Sequence, residues 1–217
     1  KTLNSSDKIK ILICTHELHD NPHSTGGMLF PDFYEWLLFL AEKSKKSNFE
    51  WYIKNHPDCD KWTKNVVQKF VDEHKNITLI NEKTSFLQLK EEGLKFVLTC
   101  HGTVGHECPL LGIDVINADL NHPHIAYDFN WSPKSIEEYS DILDNLDKIK
   151  KKIDKKDIYE FYFVRNLMGN KDDLILNSYK DAINKKKEEN LSVLDTFLQQ
   201  IDHDRHFQIL KNVSFYI

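Results

Sequence analysis

The chain has 217 residues, of which 40% are hydrophobic and 29% charged, and its formal net charge is −5 at pH 7. This balance is typical of a folded protein with one domain, and its longest apolar run, Trp36–Ala41, is far shorter than the roughly eighteen residues of a membrane-spanning helix. The acidic balance argues against a nucleic-acid-binding surface and leaves room for one local basic pocket.

Short apolar strands alternate with amphipathic helices over residues 9–118. The predicted strands are Lys10–Cys14, Phe49–Lys54, Ile77–Ile80, Lys95–Cys100 and Ile113–Asn117. The predicted helices have apolar positions from Phe33 to Ala41 after Pro31-Asp32, then Trp62, Val66, Phe70 and Val71 on one side, then Ser85 to Glu92. Because βα units in series form parallel sheets, we expect a doubly wound, Rossmann-like α/β sheet of about five to six strands with helices on both faces.

Past residue 134 the pattern changes to helices separated by lysine-rich stretches. Ser135 is predicted to cap a helix, with Glu138 at the capping-box position. Further helices are predicted around Ile158/Phe161/Tyr162/Arg165, Ile175/Tyr179/Ile183 and Leu194/Phe197/Leu198/Ile201. We therefore assign residues 1–150 to the Rossmann-like domain and 151–217 to extra helices that pack on it. The lysine runs at 148–156 and 185–187 are interpreted as solvated helix ends, with a membrane-surface role as the alternative.

The cysteines and the start of the chain bear on its location. The four cysteines, Cys14, Cys59, Cys100 and Cys108, form no CxxC pair and no zinc-binding spacing. So few cysteines in a chain of this length indicate reduced thiols and a cytoplasmic protein, with the inner face of the cytoplasmic membrane as a further option. The chain does not begin with methionine and its first predicted strand starts at Lys10, so we expect a fragment cut at a domain boundary.

Polar residues follow four of the five predicted strands. They are His16, His19, Asp20 and His23 after the first, His56-Pro57 after the second, His101–Glu107 after the fourth and Asn117–His124 after the fifth. The carboxyl ends of parallel strands share one edge of the sheet, and ligands bind at that edge in open α/β folds. This edge is therefore the predicted site.

The stretch 99–107, TCHGTVGHE, joins the fourth strand to a predicted helix. A glycine turn that opens a helix offers converging N–H donors and the positive end of the helix dipole, which suits a phosphate. We predict that His101, Gly102, Thr103 and Gly105 bind a phosphate and that Glu107 accepts from ribose hydroxyls. The alternative is a tight turn in which Glu107 caps the helix.

Histidines dominate the other two loops at this edge. Proline restricts the residue before it, and a histidine so fixed at a strand end, His56, can donate to a leaving phosphate or act as a general acid. The alternative is an ordinary loop histidine. The spacing His16-x-x-His19-Asp20-x-x-His23 allows a metal site, but a loop carries it, so substrate binding under a Gly26-Gly27 flap is the preferred interpretation and no metal is predicted.

As a set, these segments resemble bacterial capsule and surface-polysaccharide glycosyltransferases. The resemblance covers residues 9–140 and rests on five segments in order: His16-x-x-x-Asp20-x-Pro22-His23, FPDFYEWL at 30–37, IKNHP at 53–57, HGTVGHE at 101–107 and LGIDVI at 111–116. Similar K-x-HP and G-T-x-x-x-E-x-x-x-x-G-x-P-V-I patterns recur in GT-B enzymes, including the capsule Kdo transferases and, more distantly, bacterial sialyltransferases and CDP-glycerol polymerases. Asp114 stands where proline is common in the last pattern.

The resemblance implies the C-terminal, nucleotide-binding half of a GT-B fold. It implies that His56 lies by the donor phosphate, that the Gly102-Thr103 turn binds phosphate, and that Glu107 contacts the ribose or base. Lys54, in the K-x-HP pattern, is a further donor-binding candidate. His16 and Asp20 are further catalytic candidates.

The implied reaction is a direct, metal-independent displacement from a CMP-, CDP- or UDP-linked sugar to a polysaccharide acceptor. In this family the group that activates the acceptor usually comes from the N-terminal half, so the chain alone is expected to be inactive. Two alternatives stay open, transfer of a polyol phosphate from a CDP donor and a non-catalytic nucleotide- or sugar-binding module.

Overall fold

The structure is a computed structural model that describes residues 1–20, 27–149 and 153–166. It divides into two units, Lys1–Phe161 and Tyr162–Ile217. The predicted helices around Ile175 and Leu194, the lysine run at 185–187, and residues 21–26 with His23 lie outside the described residues.

Five parallel strands form one sheet in the order β3-β2-β1-β4-β5. They are β1 (Lys10–Cys14), β2 (Glu50–Lys54), β3 (Ile77–Ile80), β4 (Leu94–Thr99) and β5 (Asp114–Asn117). These bounds lie within one residue of the predicted ones, because each strand is a short apolar run between polar turns. The predicted α/β, Rossmann-like fold is confirmed.

Six helices lie in the described residues: α1 (Phe33–Lys46), α2 (Lys61–Glu73), α3 (Phe86–Glu91), α4 (Val104–Leu110), α5 (Ile136–Asp144) and α6 (Lys155–Asn166). The side chains of Asp32, Asp60, Ser85 and Ser135 each accept a backbone N–H in the first turn of the helix that follows. Such caps each stabilise a helix by about 1 kcal/mol. The predicted cap at Ser135 is therefore present, although Glu138 accepts from the N–H of Lys134 at 2.7 Å.

Both faces of the sheet are covered. Ile11 and Ile13 pack with α1 and α5 on one face, while Leu12 and Cys14 pack with Leu89 on the other. On the first face Trp36 Nε1 donates to the Tyr139 hydroxyl at 3.0 Å, which joins α1 to α5. Alternation along β1 thus places apolar side chains on both faces, as a sheet between two helical layers requires.

The buried face of α2 differs from the predicted one. Its buried residues are Thr63, Val67 and Phe70, whereas Trp62 is 54% exposed. Thr63 and Val67 are buried in place of the predicted Trp62 and Val66, about 100° further round the helix, whereas Phe70 is buried as predicted. Thr63 can be buried because its hydroxyl donates to Glu17 and accepts from the N–H of Leu18 at 3.3 Å.

The strand order places a crevice between two diverging loops. From β1 the chain moves outward to β2 and β3, and it then returns to β4 on the other side of β1. The loops after β1 and β4 therefore lead away from each other, which opens the crevice where doubly wound sheets bind ligands.

Candidate functional site

A cavity of about 430 Å³ lies at this crevice, at the carboxyl edge of the sheet. The loops after β1, β2 and β4 meet there. Eight predicted site residues line it: His16, Asp20, Lys54, His56, His101, Gly102, Thr103 and Glu107. A larger groove of about 660 Å³, bordered by Tyr127, Trp131 and Glu138, contains none of the predicted site residues.

His56 presents a hydrogen-bond donor. Its Nδ1 accepts the backbone N–H of Asp58 at 3.2 Å, while the Asp58 carboxylate lies 4.0 Å away, too far for a hydrogen bond. A neutral imidazole whose Nδ1 accepts carries its proton on Nε2. The backbone N–H of His56 donates to Thr15 Oγ1 at 3.3 Å, which joins the loop after β2 to the loop after β1. The side chain is 52% exposed, so a ligand can reach the Nε2–H group.

His101 has the opposite arrangement. Its Nδ1 lies 3.0 Å from Oδ2 of Asp119, a carboxylate with no solvent exposure. An ionised carboxylate only accepts hydrogen bonds, so the His101 proton sits on Nδ1 and the lone pair on Nε2. Asp119 was not singled out from the sequence. Its position could have indicated it, because Asp119 lies two residues after β5 and inside the polar stretch 117–124.

The side chain of His16 is a partly buried ring that lies beside His101 in the lining of the cavity. Its ring stacks on Phe33 with centroids 4.7 Å apart and lies 4.6 Å from the ring of His101. Burial, followed by the neighbouring His101 and His56, lowers the pKa of His16 to about 3. Its Nε2 accepts the backbone N–H of Cys100 at 3.3 Å, so the ring proton sits on Nδ1. A catalytic role for His16 stays a prediction, as does one for Asp20 at the exposed mouth of the cavity.

The Gly-Thr turn offers a small set of backbone donors. The N–H groups of Gly102 and Gly105 are bonded to Thr99 Oγ1 at 3.3 Å and to the Gly102 carbonyl at 2.9 Å. The N–H groups of Thr103 and Val104 have no acceptor within residues 1–20, 27–149 and 153–166. The exposed Thr103 hydroxyl does not cap α4, so it adds a third donor at the same point.

Glu107 and Lys54 border the same cavity from different sides. The Glu107 side chain makes no capping hydrogen bond to this turn within the described part of the chain, which speaks against the alternative role as a helix cap. Lys54 is buried, with its Nζ donating to the Thr84 carbonyl at 2.8 Å and lying 4.3 Å from the Phe86 ring centre. Its charge is therefore fixed in place at the wall of the cavity.

Gly105 is the predicted site residue that does not line the cavity. It is buried against a polar cluster, where its carbonyl accepts from Asn130 Nδ2 at 2.6 Å. In that cluster His124 Nε2 lies 2.7 Å from Asn130 Nδ2 and 3.3 Å from Asn117 Oδ1. The second histidine of the motif, His106, is also buried on this side, 4.9 Å from the Phe161 ring. The stretch 117–124 was predicted to lie at the sheet edge, but these buried contacts were not predicted.

Burial disfavours the thiolate form of all four cysteines. All four are free thiols in the interior. Burial raises the pKa of Cys14 to about 12 and that of Cys59 to about 11, and it raises the pKa values of Cys100 and Cys108 as well. They remain protonated thiols at neutral pH.

Of the possible metal ligands after β1, the structure describes His16, His19 and Asp20, and the two histidines have different partners. His16 is directed to Thr99 and Cys100, whereas His19 lies with Glu17 and Asp60 in a group whose ligand atoms are within 4.8 Å of one another. In that group Glu17 accepts the Asp60 N–H at 3.1 Å, and Asp60 caps α2. Protein hydrogen bonds account for both carboxylates, so the cluster is a loop-to-helix junction.

Comparison with protein-family models, curated proteins and solved structures gives no match for this chain. Among the described residues, no helix combines the length and the apolar character needed to cross a bilayer.

Proposed function

We propose that the chain binds the phosphate of a nucleotide-activated sugar in this cavity, as the donor-binding part of a glycosyltransferase that builds capsular or other surface polysaccharide. One observation carries the proposal. The N–H groups of Thr103 and Val104, the Nε2–H group of His56 and the ammonium of Lys54 all border one cavity of about 430 Å³ at the edge between β1 and β4. These four groups are positive or donating, which suits an anionic ligand, and the carboxylates of Asp20 and Glu107 lie on the same lining.

The expected binding energy follows from these donors. A hydrogen bond to a charged group contributes about 1.5–3 kcal/mol, so the turn donors together with His56 are enough for a nucleotide to bind without a metal. Glu107 lies on the same cavity wall, one helical turn beyond Thr103. Its carboxylate is an acceptor, which suits the ribose hydroxyls of the same nucleotide.

The same donors would assist bond cleavage. In a direct displacement, an acceptor hydroxyl oxygen attacks the anomeric carbon while the bond from that carbon to the phosphate oxygen breaks. Negative charge then grows on the departing phosphate, and donors already aimed at it stabilise the transition state more than the ground state. We assign this role to His56, because its donor nitrogen is fixed by the bond to Asp58 and is open to the ligand.

The acceptor requires further surface. The cavity lies along one edge of the sheet, and both the His56 side chain and Asp20 are exposed at its mouth. We propose that a second α/β domain, as in the GT-B arrangement, covers this mouth and binds the polysaccharide acceptor. Such an enzyme would work in the cytoplasm, at the inner face of the membrane where its product is assembled.

The proposal is tested first by ligand binding. Thermal shift with CMP, CDP, UDP, GDP and ADP, followed by calorimetry on the best ligand, should show that at least one nucleotide binds. Thr103→Val removes a hydroxyl at the site and should weaken this binding by about 1–3 kcal/mol, or roughly 5- to 150-fold. Thr78→Val, on an exposed position of β3, is the matched control and should bind as the wild type does.

Two results would reject the proposed function. One is a panel in which no nucleotide shifts the melting temperature or gives heat in calorimetry. The other is a Thr103→Val variant that binds its nucleotide as tightly as the Thr78→Val control while the nucleotide leaves the backbone N–H signals of Thr103 and Val104 unchanged, because the glycines would then only shape a turn.

A further inference from the structure

The loop after β5 holds a buried carboxylate against a histidine of the cavity. Asp119 Oδ2 lies 3.0 Å from His101 Nδ1, and its other oxygen accepts the N–H of Asn121 at 2.7 Å. The backbone around it is also fixed, since Met28 pairs with Asp119 and the N–H of Leu120 donates to the Gly27 carbonyl at 2.7 Å. A Cβ at Gly27 would come within 2.8 Å of Asp119 Oδ1, so glycine is needed for this close approach.

The three histidines of the cavity, His16, His56 and His101, differ in which ring nitrogen is already hydrogen-bonded within the protein. The acceptor nitrogen of His56 is used by the Asp58 N–H, and that of His16 by the Cys100 N–H. In His101 the donor nitrogen is the one used, because a carboxylate accepts from it. The basic nitrogen of His101 is therefore Nε2. It makes no hydrogen bond to any of residues 1–20, 27–149 and 153–166, so a ligand can use it.

We propose that His101 Nε2 is the general base that activates the attacking hydroxyl, and that Asp119 is the residue that positions it. This inference rests on the proposed function, and it places the base in this chain, whereas the family resemblance places it in the other half of the enzyme. A carboxylate on Nδ1 holds the ring orientation and the Nδ1–H tautomer, which is what a base acting through Nε2 needs.

The step balances without any further reactant. The proton of the attacking O–H group moves to Nε2 of His101 as that oxygen bonds to the anomeric carbon. The bond from the anomeric carbon to the phosphate oxygen breaks, and its electron pair leaves with the phosphate. His101 becomes an imidazolium that still donates from Nδ1 to Asp119, and it returns its proton to solvent after the nucleotide departs. With water in place of the acceptor, the same step hydrolyses the donor.

Asp119→Asn is the variant that isolates the positioning role. When the amide oxygen keeps the bond to the Asn121 N–H, the amide NH₂ faces His101 Nδ1 and donates to it. The loop contact is then preserved while the His101 proton is driven onto Nε2. Ser132→Ala is the matched control, because it removes a partner 2.8 Å from the buried His122, a residue that does not line the cavity.

The first readout is the tautomer, which a merely structural role would not move. In ¹⁵N-histidine spectra of the chain, with His101→Gln used to assign the signal, neutral His101 should be the Nδ1–H form in the wild type and in Ser132→Ala. It should switch to the Nε2–H form in Asp119→Asn. An Nε2–H form in the wild type would overturn the inference whether or not any nucleotide binds.

The second readout is nucleotide release from CMP-, CDP- and UDP-linked sugars incubated with the chain and followed by ³¹P NMR. We expect release above the rate in buffer, a loss of roughly 100-fold or more in His101→Gln and Asp119→Asn, and donor affinity within about twofold of the wild type. Release unchanged in either variant, or a bound donor that is never hydrolysed by the wild type, would overturn the assignment of the base. If no donor binds, the proposed function itself fails and this inference falls with it.

Discussion

The substitution Gly105→Ala tests whether Gly105, unlike Gly102, is needed for close packing in the interior. Its effect is measured as a change in the free energy of unfolding. A Cβ at position 105 would overlap Cε1 of His124 and lie 2.6 Å from its Nε2 and 3.4 Å from Asn130 Nδ2. His124 cannot easily move, because it is buried, stacks on Phe129 with ring centres 5.3 Å apart, and is hydrogen-bonded to Asn117.

The magnitude follows from these contacts. Overpacking in a filled core costs about 1–3 kcal/mol, and moving His124 away from Asn117 and Asn130 adds about 1 kcal/mol for each hydrogen bond weakened. Alanine is better than glycine in a helix by about 1 kcal/mol, which offsets part of this loss at a position inside α4. We therefore expect Gly105→Ala to lower the free energy of unfolding by about 2–4 kcal/mol.

Urea unfolding followed by tryptophan fluorescence measures this difference, with Gly102→Ala as the control. At Gly102 the nearest atom to an added Cβ is Thr99 Oγ1 at 2.9 Å, and the next contacts are at 3.6 Å. This variant must move the buried Thr99 Oγ1, so it should lose about 1–2 kcal/mol of stability, less than Gly105→Ala. Its added methyl group borders the cavity and should also weaken nucleotide binding. A Gly105→Ala variant less than about 1 kcal/mol below the wild type would refute the close packing of this glycine on His124.

Two further predictions concern metal independence and pH. In a full enzyme, EDTA should leave turnover unchanged, while His56→Gln should lower kcat roughly 100-fold or more with little change in KM; activity lost in EDTA and restored by one divalent ion would contradict this. Stability should fall as the pH drops from about 6.5 toward 4, since burial lowers the pKa of His16 to about 3 and that of His122 to about 4, so the unfolded chain takes up protons first. The expected loss is about 1 kcal/mol per pH unit for each histidine, and equal urea midpoints at pH 7 and pH 5 would speak against it.

The strands and helix caps were predictable because their signals are local. A short apolar run between polar turns identifies each strand, and Asp32, Ser85 and Ser135 stand directly before their helices. The face of α2 was not predictable in this way. Hydrophobicity alone selects Trp62 over Thr63, and only the contact of Thr63 with Glu17, 46 residues earlier, explains why the polar residue is inside.

The location of the site was predictable from topology, whereas its internal chemistry was not. Strand ends in a parallel sheet share an edge, and this placed eight of the predicted residues around one cavity. The partner of His101 is 18 residues away on another loop, so no spacing rule connects it to Asp119. Sequence reasoning therefore found the histidines without finding what determines their protonation.

The motif HGTVGHE shows why position alone does not define a role. His101 precedes α4 and lines the cavity, whereas His106 lies in the first turn of the helix and is buried on its other side. Within the cavity, His56 donates because a backbone N–H occupies its Nδ1, and His101 accepts because a buried carboxylate occupies the same atom. In the reaction we propose, one neighbour each would make His56 the hydrogen-bond donor and His101 the acceptor. A displacement reaction needs both, a donor at the bond that breaks and an acceptor at the bond that forms.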